Sequence, residues 1–189
     1  MTGNTVIGKT VSGKTVSARL GKLASAAFGV LLLSPALQAG SLDVSIEIPR
    51  LQVAEYHRPY VAIWLENERN EATQLAVWYD VGMKDNGGLE WLKDMRQWWR
   101  RGGRSLEMPM DGVSGATRAP GVHTLSFNAD EAPLAELPAG EYRLRVEASR
   151  EVGGRELLEI PFSWPLQQNE SFEVSGSDEL GRITLTVTP

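Results

Sequence analysis

The chain has 189 residues, 42% of them hydrophobic and 23% charged, which is enough for one globular domain with a substantial core. It contains no cysteine, which excludes disulfide bonds, thiolate metal sites and a cysteine nucleophile. Acidic residues outnumber basic ones by 24 to 19. Because the phosphate backbone repels an acidic surface, the composition argues against binding of nucleic acid.

Residues 1–39 have the composition of a Sec-type signal peptide. They contain four basic residues and no acidic one, and an apolar run at 23–33 is followed by small residues that end at Ala39. That run is too short to span a bilayer as a helix, and Pro35 also disfavours the alternative of an uncleaved anchor. We therefore expect export to the periplasm, cleavage after Ala39 and a mature domain at 40–189 that does not span the membrane. Without the four leader residues, 15 of the 19 basic residues remain against 24 acidic ones, a net charge of −9.

Alternation of apolar and polar residues dominates the rest of the chain and predicts β-strands. Seven segments show it, at 42–48, 60–66, 75–81, 122–128, 141–149, 157–165 and 182–188. Polar loops and Gly- or Pro-containing turns separate them. Seven short strands with turns between them predict an all-β fold, an antiparallel immunoglobulin-like β-sandwich that forms a single domain over 40–189.

One segment, GGLEWLKDMRQWWRRGG at 87–103, departs from this pattern. Its apolar residues recur at helical spacing, at Leu89, Leu92, Met95 and Trp99. Gly102 suits a helix C-terminus, and positive charge accumulates toward that end, where the helix dipole favours it. We expect a short helix over 89–101, inserted between two strands and basic along its rim.

The tryptophans of this helix allow two interpretations. In the first, either Trp91 or the pair Trp98 and Trp99 packs against the edge of the sandwich while the arginines stay in solvent. In the second, Trp98 and Trp99 form an apolar shelf beside Arg100, which suits a flat aromatic ligand that bears phosphate.

Nothing in the sequence predicts a metal centre or a hydrolytic site. The only histidines are His57 and His123, and neither has a ligand at the spacing of a known metal motif. There is no G-x-S-x-G and no serine with a plausible local base. We assign no catalytic residue, and expect an electron carrier or an adaptor rather than a stand-alone enzyme.

The segment DGVSGAT at 111–117 resembles the acceptor motif of bacterial FAD:protein FMN transferase, D-x-x-[ST]-G-A-[ST]. In proteins with this motif, FMN is joined through a phosphoester bond to the hydroxyl of the final residue, which corresponds to Thr117. The resemblance implies recognition roles at the other fixed positions, which are Asp111, Ser114, Gly115 and Ala116. Small residues leave the backbone accessible to a transferase. In the alternative, this is an ordinary loop in which Thr117 hydrogen-bonds the turn and Arg118 pairs with the acidic surface.

The wider chain resembles the predicted periplasmic proteins known as DUF2271. The likeness rests on RPYVAIWLEN, LAVWYD, WLKDMRQWWR, DGVSGATRAPG, PAGEYRLRVEASRE and GGRELLEIPF, and it covers about residues 40 to 189. The resemblance implies an envelope setting with a redox or iron-related role, and PepSY-type membrane proteins and flavin transferases as partners.

Together these features predict an exported protein that carries covalent FMN on Thr117 and exchanges electrons with a membrane redox partner. Neighbouring arginines would favour the anionic reduced flavin and raise its potential; the candidates are Arg96, Arg100, Arg104 and Arg118. Trp98 or Trp99 would contact the flavin. The alternative is a non-catalytic binding or adaptor module, whose Trp/Arg patch contacts a membrane protein or a polymer.

Overall fold

The computed structural model describes residues 40–189, so the predicted signal peptide lies outside the described residues. The described chain contains nine strands. They are β1 (Ser41–Ile48), β2 (Tyr60–Asn67), β3 (Ala72–Tyr79), β4 (Ser114–Ala116), β5 (Gly121–Asn128), β6 (Gly140–Ser149), β7 (Arg155–Trp164), β8 (Glu170–Ser175) and β9 (Arg182–Thr188). None of the helices found between residues 40 and 189 is long and apolar enough to cross a membrane.

The strands form two sheets. One has four strands in the order β5-β1-β9-β8, and the other has five in the order β4-β3-β2-β6-β7. Neighbouring strands are antiparallel except for β3 and β4, which run parallel. Apolar side chains of both sheets share one core, so the predicted all-β sandwich is confirmed.

The alternation of the sequence becomes an alternation of burial along β1. Leu42, Val44, Ile46 and Ile48 are buried, whereas the residues between them are partly exposed. Each strand residue points to the face opposite its neighbour, so one face of β1 packs into the core. Full burial of each such side chain contributes about 1.5–3 kcal/mol.

The central strand β2 is buried on both faces. Its residues from Val61 to Glu66 are all buried, because the outer face of the five-stranded sheet is covered as well. The cover is the segment 84–113, which runs between β3 and β4. Its apolar side chains meet those of β2 and β3 in a second cluster, formed by Ala62, Trp64, Val77, Tyr79, Leu92, Met95 and Trp98.

The short helix predicted between two strands is present, but it is shorter than residues 89–101. A 3₁₀ segment occupies Lys84–Asp94, and a separate helix, α1, follows at Arg96–Arg100. Met95 divides them, because its ψ of 75° lies outside the helical region. The predicted role of Gly102 is confirmed: it follows the end of α1 with a φ of 138°, a conformation that favours glycine.

Two strands were not predicted. β4 lies inside the DGVSGAT segment at 111–117, and its three residues are Ser, Gly and Ala, none of which favours a strand. Pairing with β3 therefore decides its conformation. β8 is short and carries two glutamates, although Phe172 and Val174 alternate toward the core.

Candidate functional site around Thr117

Thr117 is fixed at the end of β3 by main-chain hydrogen bonds. The N–H of Val77 donates to Val113 O at 2.8 Å, where β4 begins. The N–H of Thr117 then donates to Tyr79 O at 3.1 Å, one residue beyond the last β4 pair. Thr117 is therefore held by its backbone. It follows directly on the ordered edge strand β4.

Two residues of the motif have a structural role in this strand. The Ser114 hydroxyl accepts a hydrogen bond from the N–H of Met110 at 2.8 Å and so closes the turn before β4. A Cβ on Gly115 would lie 3.3 Å from Cδ1 of Trp78, a close contact that glycine avoids. Asp111 and Ala116 are exposed. Only these two motif positions present their side chains openly to solvent beside the partly buried Thr117.

Thr117 lies on the wall of a cleft of about 440 Å³. The cleft opens at one end of the five-stranded sheet, where β2 begins and where β3 and β6 end. The loop after β1 supplies Tyr56, the start of β2 supplies Tyr60, and the 3₁₀ segment supplies Trp91. Trp91 is 44% exposed and lines the same cleft as Thr117, so it offers an accessible aromatic side chain there.

Acidic side chains outnumber basic ones in the cleft wall. Asp80 follows β3, Asp94 ends the 3₁₀ segment and Glu151 follows β6, whereas Arg58 is the arginine of the wall. The arginines expected near Thr117 are not among the lining residues; Arg96, Arg100 and Arg104 are exposed on the covering segment. The sequence suggested that arginines surround Thr117 with positive charge, but the charged residues of the cleft wall carry a net negative charge.

A histidine of this wall stands between two carboxylates. Nε2 of His57 is 3.1 Å from Glu55 Oε1, and its Nδ1 is 3.5 Å from Glu151 Oε2. Beside it, the hydroxyl of Tyr56 is buried without a hydrogen-bond partner in the described range. Burial raises the pKa of Tyr56 and also that of Tyr60, so both phenols stay protonated at neutral pH and are potential hydrogen-bond donors.

Arg118 does not pair with the acidic surface. Its guanidinium lies 5.2 Å from the centre of the Trp78 ring, in a cation–π contact. On the same indole, His123 packs edge-on with ring centres 5.8 Å apart, and its Nε2 lies 2.8 Å from Ala119 O. These contacts with Trp78 and Ala119 hold the chain in place between Thr117 and β5. Among residues 40–189, no group of three His, Asp or Glu side chains could hold a metal ion.

The tryptophans of the covering segment divide between core and surface. Trp98 is fully buried and donates from Nε1 to Gln74 Oε1 at 2.7 Å, so it cannot stack on a ligand. Trp99 is half-buried beside it, with ring centres 6.2 Å apart. The tryptophan at the cleft is Trp91 instead. In the sequence it stands between Leu89 and Leu92 and does not share their helical spacing. This offset from the apolar positions is the signal that could have indicated its exposure.

The helical part of the covering segment, residues 84–100, and the turn before β4 share the second hydrophobic cluster. Met108 and Val113, on either side of the turn before β4, pack against the cluster that contains Trp98. Trp91 and Asp94 line the same cleft as Thr117. The two segments that the sequence could not connect are therefore in contact in the fold.

Residues 41–182 match a protein family described as "Predicted periplasmic protein (DUF2271)". This chain belongs to the DUF2271 family. No curated protein and no solved structure matches the chain significantly. The family gives the protein a periplasmic location, in agreement with the expectation from the leader. Its match extends from β1 into β9 and contains every residue that lines the cleft.

Two buried carboxylates hold the covering segment of this DUF2271 protein on its sheet. Glu147 of β6 has no exposed surface and accepts the N–H groups of Gln97 and Trp98 at 2.9 and 2.7 Å. Glu66 of β2 is equally buried, and its Oε2 lies 3.2 Å from Nε of Arg101. Part of the basic rim is therefore neutralised by the sheet, and α1 begins where Glu147 satisfies its free N–H groups.

Proposed function

We propose that this periplasmic protein carries FMN on Thr117 and transfers electrons in the cell envelope. In the attachment reaction, Oγ of Thr117 would bond to the phosphorus of the FMN half of FAD. The pyrophosphate bond would break, AMP would leave, and the hydroxyl proton would pass to the transferase or to solvent. The observation that carries the proposal is that the last residue of the acceptor motif lies in the wall of an aromatic cleft.

The cleft suits a ligand of this kind in size and lining. Its volume of about 440 Å³ is in the range of small-molecule sites, which are roughly 300–1,000 Å³ and rich in aromatic side chains. Trp91, Tyr56 and Tyr60 would contact the ring system, and the tyrosine hydroxyls are available to donate hydrogen bonds. The bound group would supply electron transfer, while the chain would supply its attachment, shielding and electrostatic setting.

The charges of the cleft would set a low reduction potential. Reduction adds negative charge, and Asp80, Asp94 and Glu151 would oppose it, while Arg58 would offset only part of their effect. This direction is the reverse of the one expected from the arginines near Thr117 in the sequence. A low potential suits a carrier that hands electrons onward to an envelope acceptor.

Two partners follow from the proposal. An FAD:protein FMN transferase would have to approach the exposed side of β4, where Asp111 and Ala116 are accessible. A PepSY-type membrane protein would exchange electrons with the carrier. Both remain proposals that rest on the acceptor motif and on the family.

A second candidate function is a binding or adaptor module without a cofactor. The observation in its favour is the apolar part of the cleft wall, where Trp91 and Met83 are each more than one-third exposed. Aromatic and methionine side chains are enriched at the centres of protein interfaces. This apolar part of the wall would take the place of the Trp98/Trp99/Arg100 patch that the sequence suggested.

Co-expression of the full chain with an FMN transferase separates the two candidates. We expect the intact mass to increase by one FMN unit, with visible flavin absorbance that is lost in Thr117→Ala. Thr124→Ala, at an exposed position of β5, is the matched control and should remain yellow. A colourless, unmodified protein under conditions that label an established acceptor would exclude the carrier and leave the adaptor.

A further inference from the structure

The edge strand β5 differs from the other three edges of the sandwich. In the described chain, β5 and β8 end one sheet, and β4 and β7 end the other. β5 has eight residues, GVHTLSFN, with no charged residue and no proline. Its pairing with β1 is continuous from Ser41–Asn128 to Ile48–Gly121. A long, uncharged and regular edge offers a template for another strand.

The other edges carry features that hinder such pairing. β4 has only three residues. β8 has six and contains Glu170 and Glu173, so two copies of it would repel each other. β7 is long but contains Pro161, which lacks an N–H, and the charged residues Arg155, Glu156 and Glu159. Short length, charge and proline are the means by which proteins protect sheet edges, and β5 has none of them.

The direction of the β5 backbone groups follows from hydrogen bonds at both ends of the ladder. The N–H of Ala129 donates to Gly40 O, and Glu47 O accepts from Gly181 on the β9 side. Because hydrogen-bonded and non-bonded pairs alternate in an antiparallel ladder, every second residue of β5 directs its N–H and C=O away from β1. These residues are Val122, Thr124, Ser126 and Asn128. Asn128 O also accepts from the N–H of Glu131, while the groups of the other three point to the open edge.

The side chains at this edge are also incompletely covered. Leu125 and Phe127 pack against the core but remain partly exposed, and Val122 is 66% exposed on the other face. An added strand would cover the first two and extend the sheet. No β5 residue lines the Thr117 cleft, so such a strand would leave the cleft open.

We propose that β5 pairs with β5 of a second copy of this chain, antiparallel and centred on Leu125, to form a homodimer. In this register all four outward-facing residues pair, Val122 with Asn128 and Thr124 with Ser126 of the second copy. On the core side, Leu125 faces its own equivalent and His123 faces Phe127. The pairing is self-complementary under a two-fold axis and places no like charges opposite each other, which matters for a domain that is acidic overall.

Sedimentation and light scattering of the full processed protein across a concentration series test the dimer. We expect a reversible dimer, weakened about tenfold or more by Thr124→Lys combined with Ser126→Lys, because lysines then face each other across the axis. Both side chains are exposed, so the domain should keep its melting temperature. Ser171→Lys combined with Glu173→Lys on β8 is the matched control and should leave the dimer intact.

The absence of cysteine allows a direct test of the register. Leu125→Cys should form a disulfide-linked dimer under mild oxidation, since facing residues of a non-hydrogen-bonded pair are close enough to bridge. Val174→Cys, partly buried on β8, should stay monomeric on a non-reducing gel. A monomer at all soluble concentrations, or a dimer unaffected by the β5 lysines, would overturn the proposal. Neither result depends on whether Thr117 carries FMN.

Discussion

The carboxylate of Glu147 accepts a hydrogen bond from the backbone N–H of Trp98 at 2.7 Å, across 49 residues of sequence. It also accepts from Gln97 and from Nη1 of Arg155, the latter at 2.8 Å. Because Glu147 has no exposed surface, each of these bonds replaces a lost interaction with water. Together with Glu66, Glu147 therefore fixes the start of α1 and the position of the covering segment on the sheet.

Replacing Glu147 should be strongly destabilising. Glu147→Ala leaves two buried N–H groups and the guanidinium of Arg155 without this acceptor, and we expect a loss of about 3–5 kcal/mol in the free energy of unfolding. Glu147→Gln retains one acceptor oxygen and should lose less. Denaturant unfolding followed by tryptophan fluorescence measures both. Glu159→Ala removes an ion pair with Arg145 at a half-exposed position and should cost at most about 1 kcal/mol; equal losses for Glu147→Ala and Glu159→Ala would contradict the docking role.

Glu156 should make the stability depend on acid pH. Burial alone would raise its pKa, but four backbone N–H groups of the β8–β9 loop together outweigh burial and hold the pKa below the ordinary 4.5. The donors are Ser177, Leu180, Asp178 and Glu179. A group with a lowered folded-state pKa stabilises the fold above its unfolded-state pKa, and this contribution is lost as the pH falls through the folded-state value.

Melting temperatures of the wild type and Glu156→Gln across this range test the assignment. The difference between them should be largest near neutral pH and begin to shrink below about 4.5, where the carboxyl of the unfolded chain is protonated. It should disappear only when the pH has fallen through the lower folded-state pKa. Glu136→Gln, exposed on the loop before β6, is the control and should show a small, pH-independent difference. A Glu156→Gln effect that stays constant down to the acid end would show that the carboxylate charge is not involved.

A structural feature could be predicted from the sequence when the residues that determine it are close together in the chain. The alternation in β1 and the glycine after α1 are local, and both were predicted correctly. The start of α1 is held by Glu147 of β6, and the strand conformation of β4 depends on β3, so neither has a signal within its own residues. Tyr56 and Glu151 are far apart in the sequence and meet in the cleft only because β2, β3 and β6 are neighbours in one sheet. For that reason the motif indicated Thr117, but the sequence did not indicate the aromatic and acidic side chains around it.

The separation of core and cleft tryptophans can be tested with one pair of variants. Trp98→Ala removes a fully buried ring and its hydrogen bond to Gln74, and should cost about 3–5 kcal/mol in the free energy of unfolding. Trp91→Ala removes a ring that is 44% exposed and should cost about 1 kcal/mol or less. If FMN is carried on Thr117, only Trp91→Ala should alter flavin fluorescence in the folded protein, because an adjacent indole quenches it. Comparable destabilisation by the two variants would contradict the burial pattern.

The carboxylates of the cleft give the carrier proposal a measurable electrostatic consequence. Asp94→Asn removes a negative charge from the wall that Thr117 shares while keeping the size of the side chain. Since reduction adds negative charge, removing Asp94 should raise the midpoint potential of the attached flavin by tens of millivolts, the order expected for a partly screened charge nearby. Spectroelectrochemical titration of the flavinylated protein measures this shift, and higher ionic strength should reduce it. Asp85→Asn, exposed and outside the cleft lining, is the matched control and should leave the potential unchanged. A lower potential in Asp94→Asn, or equal shifts in both variants, would mean that the flavin does not occupy this cleft.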